Sequence, residues 1–162
     1  MKACIYIICC LGLLLACGPE APDTEHLFRK NFLPYPNVLV QLNQDSTSSD
    51  PRYSFFLAYR DRDFAGALHI ADSLSTLSPN DPLQLYRSVC LITLDKYKDA
   101  IPLLSALARD KGEFQDAARW YLSLIYLKQG QVEACKEQLL TLQNTSTYIR
   151  NEAKVLISKL GD

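Results

Sequence analysis

Residues 120–135, WYLSLIYLKQGQVEAC, contain the pattern that decides the fold of this chain. An apolar run with helical spacing leads to a polar turn at Gly130, and a second helical pattern follows it. A small residue, Cys135, lies in the first turn of that second helix. The stretch therefore predicts two helices joined by a short turn, with the small residue allowing their backbones to approach closely.

The same arrangement occurs twice earlier in the chain, at residues 57–67 and 90–100. Each stretch has an apolar helix end, a short polar turn and then a small residue. Ala67, Ala100 and Cys135 occupy this last position and lie 33 and 35 residues apart. Self-similarity at a fixed period of this size is typical of helical repeat proteins.

The repeat resembles the tetratricopeptide repeat, a helix-turn-helix unit of about 34 residues. The resemblance covers residues 51–143, and its first unit is expected to have a turn, Arg60–Asp63, one residue shorter than the others. It implies an all-α fold of antiparallel helix-turn-helix units, about three of them, stacked in a short right-handed solenoid. The matching positions are Ser88, Leu91, Tyr97, Ala100, Leu104 and Leu107 in the second unit, and Trp120, Leu122, Ser123, Tyr126, Gly130, Cys135, Leu139 and Leu142 in the third.

A last helix is expected over residues 148–160, after the third unit. No single unit can bury its apolar face alone, so stacked units need a final helix that shields the last one. The apolar side chains of this helix fall on one face, with charged residues elsewhere. Those apolar residues are Ile149, Ala153, Leu156 and Leu160.

The N-terminus predicts a cleaved export signal over residues 1–16. Met1-Lys2 is followed by the uncharged apolar run Ala3–Ala16. As a helix this run is about 21 Å long, too short to cross a hydrocarbon core of about 30 Å. Its length and its basic start are those of a signal peptide.

The end of the signal, Leu14-Leu15-Ala16-Cys17, resembles the bacterial lipobox. The resemblance implies cleavage after Ala16 and a diacylglycerol thioether on Cys17, which then becomes the acylated first residue. Gly18, in place of the Asp that favours inner-membrane retention, favours the outer membrane; whether the protein faces the periplasm or the cell surface stays open. The alternative is a soluble exported protein with a leftover thiol at Cys17.

Residues 17–50 are expected to form a lipid-anchored, partly extended tether, and residues 51–162 the repeat domain. Prolines interrupt any long helix in the tether. Residues 24–32 are expected to form one or two helical turns. Residues 33–42 are apolar and extended, which favours contact with the folded domain.

Composition and motifs argue against catalysis and against several classes of ligand. The net charge of −1 and the pI of about 6.1 give no basic excess for nucleic acid. The two histidines are far apart, and no catalytic or phosphate-binding motif occurs. We therefore expect no enzyme activity, no cofactor and no metal. Cys90 and Cys135 are either buried free thiols or a disulfide.

The remaining candidate site is a groove on the first helices of the second and third units. In the repeat family these helices line a concave surface that binds peptides. An apolar groove here suits an amphipathic segment of a partner, and residues 33–42 of the same chain are the alternative occupant. The groove residues are Leu85, Val89, Ile92, Trp120, Leu124 and Leu127.

Two functions follow from the sequence. The first is a membrane-anchored bacterial lipoprotein that acts as a non-catalytic protein–protein interaction module in the cell envelope. The alternative is a permanently docked structural subunit of an envelope complex, such as outer-membrane assembly or transport machinery. The sequence does not name the protein partner.

Overall fold

The structure, a computed structural model, describes residues 21–36, 51–74, 82–145 and 148–161. Within these ranges the chain forms eight α-helices and no strand, which confirms the predicted all-α class. The predicted signal and Cys17 lie outside the described residues. The helices are α1 (Thr24–Asn31), α2 (Pro51–Arg60), α3 (Phe64–Ser73), α4 (Pro82–Thr93), α5 (Tyr97–Arg109), α6 (Gln115–Lys128), α7 (Val132–Leu142) and α8 (Ile149–Leu160).

From α2 onward each helix packs against the next one along the chain. Contacts also join α4 to α6 and α6 to α8, so alternate helices meet as well. The N-terminal helix α1 packs on α6, far away in sequence. As a result α6 is the most enclosed element, with α1, α4, α5, α7 and α8 around it.

Three helix pairs, α2–α3, α4–α5 and α6–α7, are joined by loops of the same length and geometry. The middle loop residue has a positive φ in each: Arg62 at 61°, Asp95 at 57° and Gly130 at 70°. The expectation of a shorter first turn is wrong, because its hydrogen bonds match those of the others. In each loop the last backbone N–H donates to the carbonyl five residues earlier: Asp63 to Ala58 (2.9 Å), Lys96 to Leu91 (2.8 Å) and Gln131 to Tyr126 (2.8 Å).

The small residue after each loop is fully enclosed. Ala67, Ala100 and Cys135 are all 0% exposed, as are Ser88 and Ser123 on the preceding helices of the second and third pairs. A larger side chain at these positions would push the paired helices apart, since interiors are close-packed. The repeated small residues therefore set the spacing of the helices.

The two cysteines of the helical region, Cys90 and Cys135, are free thiols, which settles the choice left open by the sequence. Both are buried, and burial raises the pKa of each thiol from 9.0 to about 12. A thiol with such a pKa holds almost no thiolate at neutral pH and is a poor nucleophile. The pair therefore behaves as packing residues.

The predicted last helix is confirmed as α8, which packs on α7 and α6. Its buried face is the one predicted: Ile149, Ala153, Leu156 and Leu160. Gly161 ends the helix with a φ of 72°, a conformation that glycine adopts without strain. Pro102 lies inside α5, close to its start, and the helix continues through it.

The loop geometry predicts that introducing glycine at the middle loop position stabilises the fold and that removing it destabilises the fold. Arg62→Gly should raise the free energy of unfolding by about 0.5–1 kcal/mol, because the left-handed conformation costs a non-glycine residue about 1–2 kcal/mol, partly offset by chain entropy. Gly130→Ala should lower it by about 1 kcal/mol for the same reason. Urea denaturation monitored by circular dichroism measures both changes.

The matched control is His69→Gly, at an exposed position in the interior of α3. It should lower stability by about 0.5 kcal/mol. A loss of stability in Arg62→Gly as large as that in the control would contradict the geometry given for the first turn.

Candidate functional site

Three tyrosine side chains, one from the first helix of each pair, hold one extended stretch of the chain. We call Tyr59, Tyr86 and Tyr121 the tyrosine face, and residues 32–36, Phe-Leu-Pro-Tyr-Pro, the docked segment. Each hydroxyl donates a hydrogen bond to a backbone carbonyl of that segment. The bonds run from Tyr59 to Tyr35 (2.9 Å), from Tyr86 to Pro36 (3.1 Å) and from Tyr121 to Leu33 (2.8 Å).

The repeat places two of these hydroxyls in register. Tyr86 and Tyr121 are 35 residues apart, the same separation as Asp95 and Gly130 in the loops that follow them. They therefore occupy the same position of the second and third pairs. Tyr59 does not share that position. It lies six residues further along α2 than the residue equivalent to Tyr86. All three side chains are buried, at 4%, 1% and 3% exposed.

Aromatic contacts reinforce the hydrogen bonds. The Tyr35 ring meets the ring of Tyr86 edge to face, with centroids 5.5 Å apart, and that of Phe114 at 6.2 Å. Phe32 meets Tyr121 in the same manner at 6.1 Å. Each such pair contributes about 0.5–1.5 kcal/mol beyond the area it buries. The segment is thus held through its backbone and through two aromatic side chains.

Helix α1 leads into the docked segment and binds α6. Its Leu27 and Phe28 are each 7% exposed. The Lys128 ammonium group donates to Glu25 Oε2 at 2.6 Å and lies 5.2 Å from the centre of the Phe28 ring. Glu25 is half exposed, so this ion pair contributes less than about 1 kcal/mol. Apolar burial is therefore the larger part of α1 docking.

An open cleft of about 260 Å³ lies between the docked segment, α6 and α8. Its walls are mostly apolar, and two of its large side chains are well exposed, Leu33 at 73% and Tyr148 at 69%. Glu152 is the one charged residue among the described residues that line it. The other lining residues are Asn31, Pro34, Tyr35, Pro36, Ala117, Trp120, Tyr121 and Ile149.

Five of the six predicted groove residues lie in the packed core instead of on an open surface. They are enclosed because helices pack on both sides of α4 and α6. Trp120 is the exception: it is half-buried and lines the cleft. The enclosed five are Leu85, Val89, Ile92, Leu124 and Leu127, each at most 1% exposed.

Residues 33–36 contact Tyr59, Tyr86 and Tyr121 on the first helices, and residues 37–42, the rest of the alternative occupant, lie outside the described residues. The tyrosine face is not among the residues predicted from the sequence. Its signal was the 35-residue separation of Tyr86 and Tyr121 in a chain whose small residues already repeat at that distance.

A second cleft, of about 330 Å³, lies between α3, α4 and α5. Arg87 of α4 donates to Asp72 of α3 at 2.6 Å, and the remaining charges around the cleft are of both signs. The described residues contain no group of three or more side chains suited to a metal ion. None of the helices in the described ranges is both long and apolar enough to span a bilayer.

Comparisons of the chain with protein-family models, with curated proteins and with solved structures gave no significant match.

Burial gives the tyrosine face a defined dependence on pH. It raises the pKa values of Tyr59 and Tyr121 above the ordinary value of about 10, so both hydroxyls remain protonated donors at pH values where an exposed tyrosine has ionised. Since the unfolded chain loses these protons first, their contribution to stability is complete below pH 10 and is lost as the pH rises further.

We therefore expect Tyr59→Phe to flatten the alkaline loss of stability. At pH 7.5 the variant should be less stable by about 1 kcal/mol, the net contribution of one hydrogen bond. Between pH 10 and 11 its free energy of unfolding should fall by about 1 kcal/mol less than that of the parent. Urea titrations at the three pH values test this, and equal losses in the two proteins would contradict it.

Proposed function

We propose that this chain is a membrane-anchored bacterial lipoprotein whose tetratricopeptide-like repeats form a non-catalytic protein-binding module in the cell envelope. Residues 1–16 are the cleaved signal, and Cys17 carries the lipid. Residues 51–162 form three repeat units in a short right-handed solenoid, with α8 as the capping helix. The lipid holds the protein at a membrane, most simply the outer membrane.

The repeat assignment is supported by the equivalence of the three helix pairs. Their loops share length, hydrogen bonds and a left-handed middle residue, and the enclosed small residues recur at separations of 33 and 35. Contacts between alternate helices, α4 with α6 and α6 with α8, are those that stacked units require.

The observation that carries the function is the capture of an extended stretch of polypeptide by the tyrosine face. All three hydrogen bonds end on backbone carbonyls, which every polypeptide offers. An open, mostly apolar cleft with Trp120 and Tyr148 adjoins the captured segment. Aromatic residues of this kind are the ones enriched where proteins bind other proteins.

The anchor is supported by the residues before and at Cys17. An uncharged run too short to span the bilayer ends in Leu-Leu-Ala-Cys. One acyl chain gives only reversible binding to a bilayer, whereas two or more hold a protein stably. A multiply acylated Cys17 would keep the binding module permanently at the membrane surface.

Replacement of Cys17 by Ser should abolish acylation and leave the precursor uncleaved. In phase partitioning with detergent, the parent should enter the detergent phase with an added lipid mass on Cys17, and the variant should carry no such mass. Cys135→Ser is the matched control and should partition like the parent. Acylation of Cys17→Ser to the level of the parent would contradict the anchor.

Photo-crosslinking from native membranes tests the binding module. A photoreactive amino acid at Tyr148, on the rim of the cleft, should yield one dominant crosslinked protein. The same group at Leu140, which is 53% exposed on α7 and does not line the cleft, serves as the control. Absence of a protein adduct at Tyr148, or the same adducts at both positions, would overturn the proposal.

A further inference from the structure

We infer that the tyrosine face is a recognition site for an extended, proline-containing segment with aromatic side chains, and that a partner's segment of this chemistry binds there by displacing the docked segment. The docked segment is then an intramolecular ligand that occupies the site in cis. This inference rests on the proposed function, since it names the chemical class of the bound partner.

The direction of the hydrogen bonds determines which backbone groups a ligand must offer to the tyrosine face. Toward the segment the three tyrosine hydroxyls of the face donate, and three carbonyls within residues 33–36 accept. Pro34 and Pro36 have no N–H, so two of these residues need no acceptor from the face. A proline-containing strand therefore suits this surface, because it offers the three accepting carbonyls and brings two fewer backbone N–H groups that need acceptors.

The prolines also lower the cost of binding. Each fixes its own φ near −65°, and each restricts the preceding residue, Leu33 or Tyr35, to extended conformations. The segment is therefore close to its bound shape before it docks, and less conformational entropy is lost on binding. Proline-containing segments of other proteins enter aromatic-lined grooves for the same reason.

The side chains define the remaining positions. Tyr35 packs between the rings of Tyr86 and Phe114, and Phe32 packs on Tyr121. Leu33 is 73% exposed, so its position accepts many residues. The recognised pattern is an aromatic residue, any residue, proline, a second aromatic residue and proline.

The docked segment can leave without dismantling the helix pairs. The loop hydrogen bonds and the enclosed small residues that join α2 to α7 do not involve it. Among the described residues, three hydrogen bonds, a few ring contacts and the packing of Phe32 and Tyr35 on the core hold the segment, while its Leu33 and Pro36 are exposed. Because it belongs to the same chain, its effective concentration is of the order of millimolar, so a partner has to compete against it.

The test measures binding of a fluorescent synthetic peptide with the sequence of residues 24–36 to the full chain in detergent. Phe32→Ala/Tyr35→Ala in the protein weakens the intramolecular ligand, so it should bind the peptide at least tenfold more tightly than the parent. Adding Tyr86→Phe or Tyr121→Phe to that variant should weaken binding about fivefold each, the value of one hydrogen bond. A control peptide with alanine at the positions of Pro34, Tyr35 and Pro36 should bind at least tenfold more weakly.

If the parent and the double variant bind the peptide with equal affinity, the docked segment is not displaced and the inference is wrong. If the added Tyr→Phe substitutions leave the affinity for the peptide unchanged, the tyrosine face is not the site. Trp120 gives a second readout that needs no substitution, because it is the only tryptophan of the chain and lines a cleft built partly by the docked segment. Millimolar peptide should shift its emission in the parent, and the control peptide should not. An unshifted emission would also overturn the inference, even if the double variant fails to fold.

This experiment uses only purified protein and peptide. If it fails while crosslinking at Tyr148 captures a membrane protein, the recognition site is wrong and the proposed function stands. If crosslinking fails, the proposed function itself is wrong, whatever the peptide does.

Discussion

A buried tyrosine hydroxyl needs a hydrogen-bond acceptor, and this requirement joins residues 33–36 to the three helix pairs. Tyr59, Tyr86 and Tyr121 are almost fully enclosed, and each donates to the docked segment. A buried hydroxyl left without an acceptor costs about 1–3 kcal/mol. The face is therefore stable only when it is covered by a chain with accessible carbonyls or reopened to water. A surface that always needs a ligand is well suited to exchange one ligand for another.

Local features of the fold could be read from the sequence because they depend on neighbours along the chain. Helical spacing and the recurring small residues predicted the three pairs, and the apolar spacing of α8 predicted its buried face. The first turn was misjudged because Arg62 carries no sequence signal for a left-handed residue, whereas Gly130 does. A turn can adopt that conformation without glycine and accept a cost of about 1–2 kcal/mol.

The site was harder to predict, because its contacts join residues that are distant in sequence. Tyr121 and Leu33 are separated by 88 positions, and nothing local shows that they meet. Equivalent positions also diverge: Leu85 and Trp120 share a place in the repeat, yet Leu85 is enclosed and Trp120 lines the cleft. Leu85 and Trp120 have different neighbouring helices, so the sequence periodicity predicts a residue's position in its helix pair better than its exposure.

Under the proposed lipid anchor, the docking of α1 also bears on how far the helix pairs could stand from a membrane. With a lipid on Cys17, six residues lead to Asp23 at the start of α1, a span of at most about 20 Å. If α1 left α6 together with the docked segment, the chain from Cys17 to Pro51 could extend to about 110 Å. Binding of a partner would then increase the distance that the helix pairs can reach from the bilayer surface. If the proposed anchor and the proposed displacement both hold, the stretch between Glu25 and Pro36 would keep the helix pairs close to the bilayer until a partner displaced it.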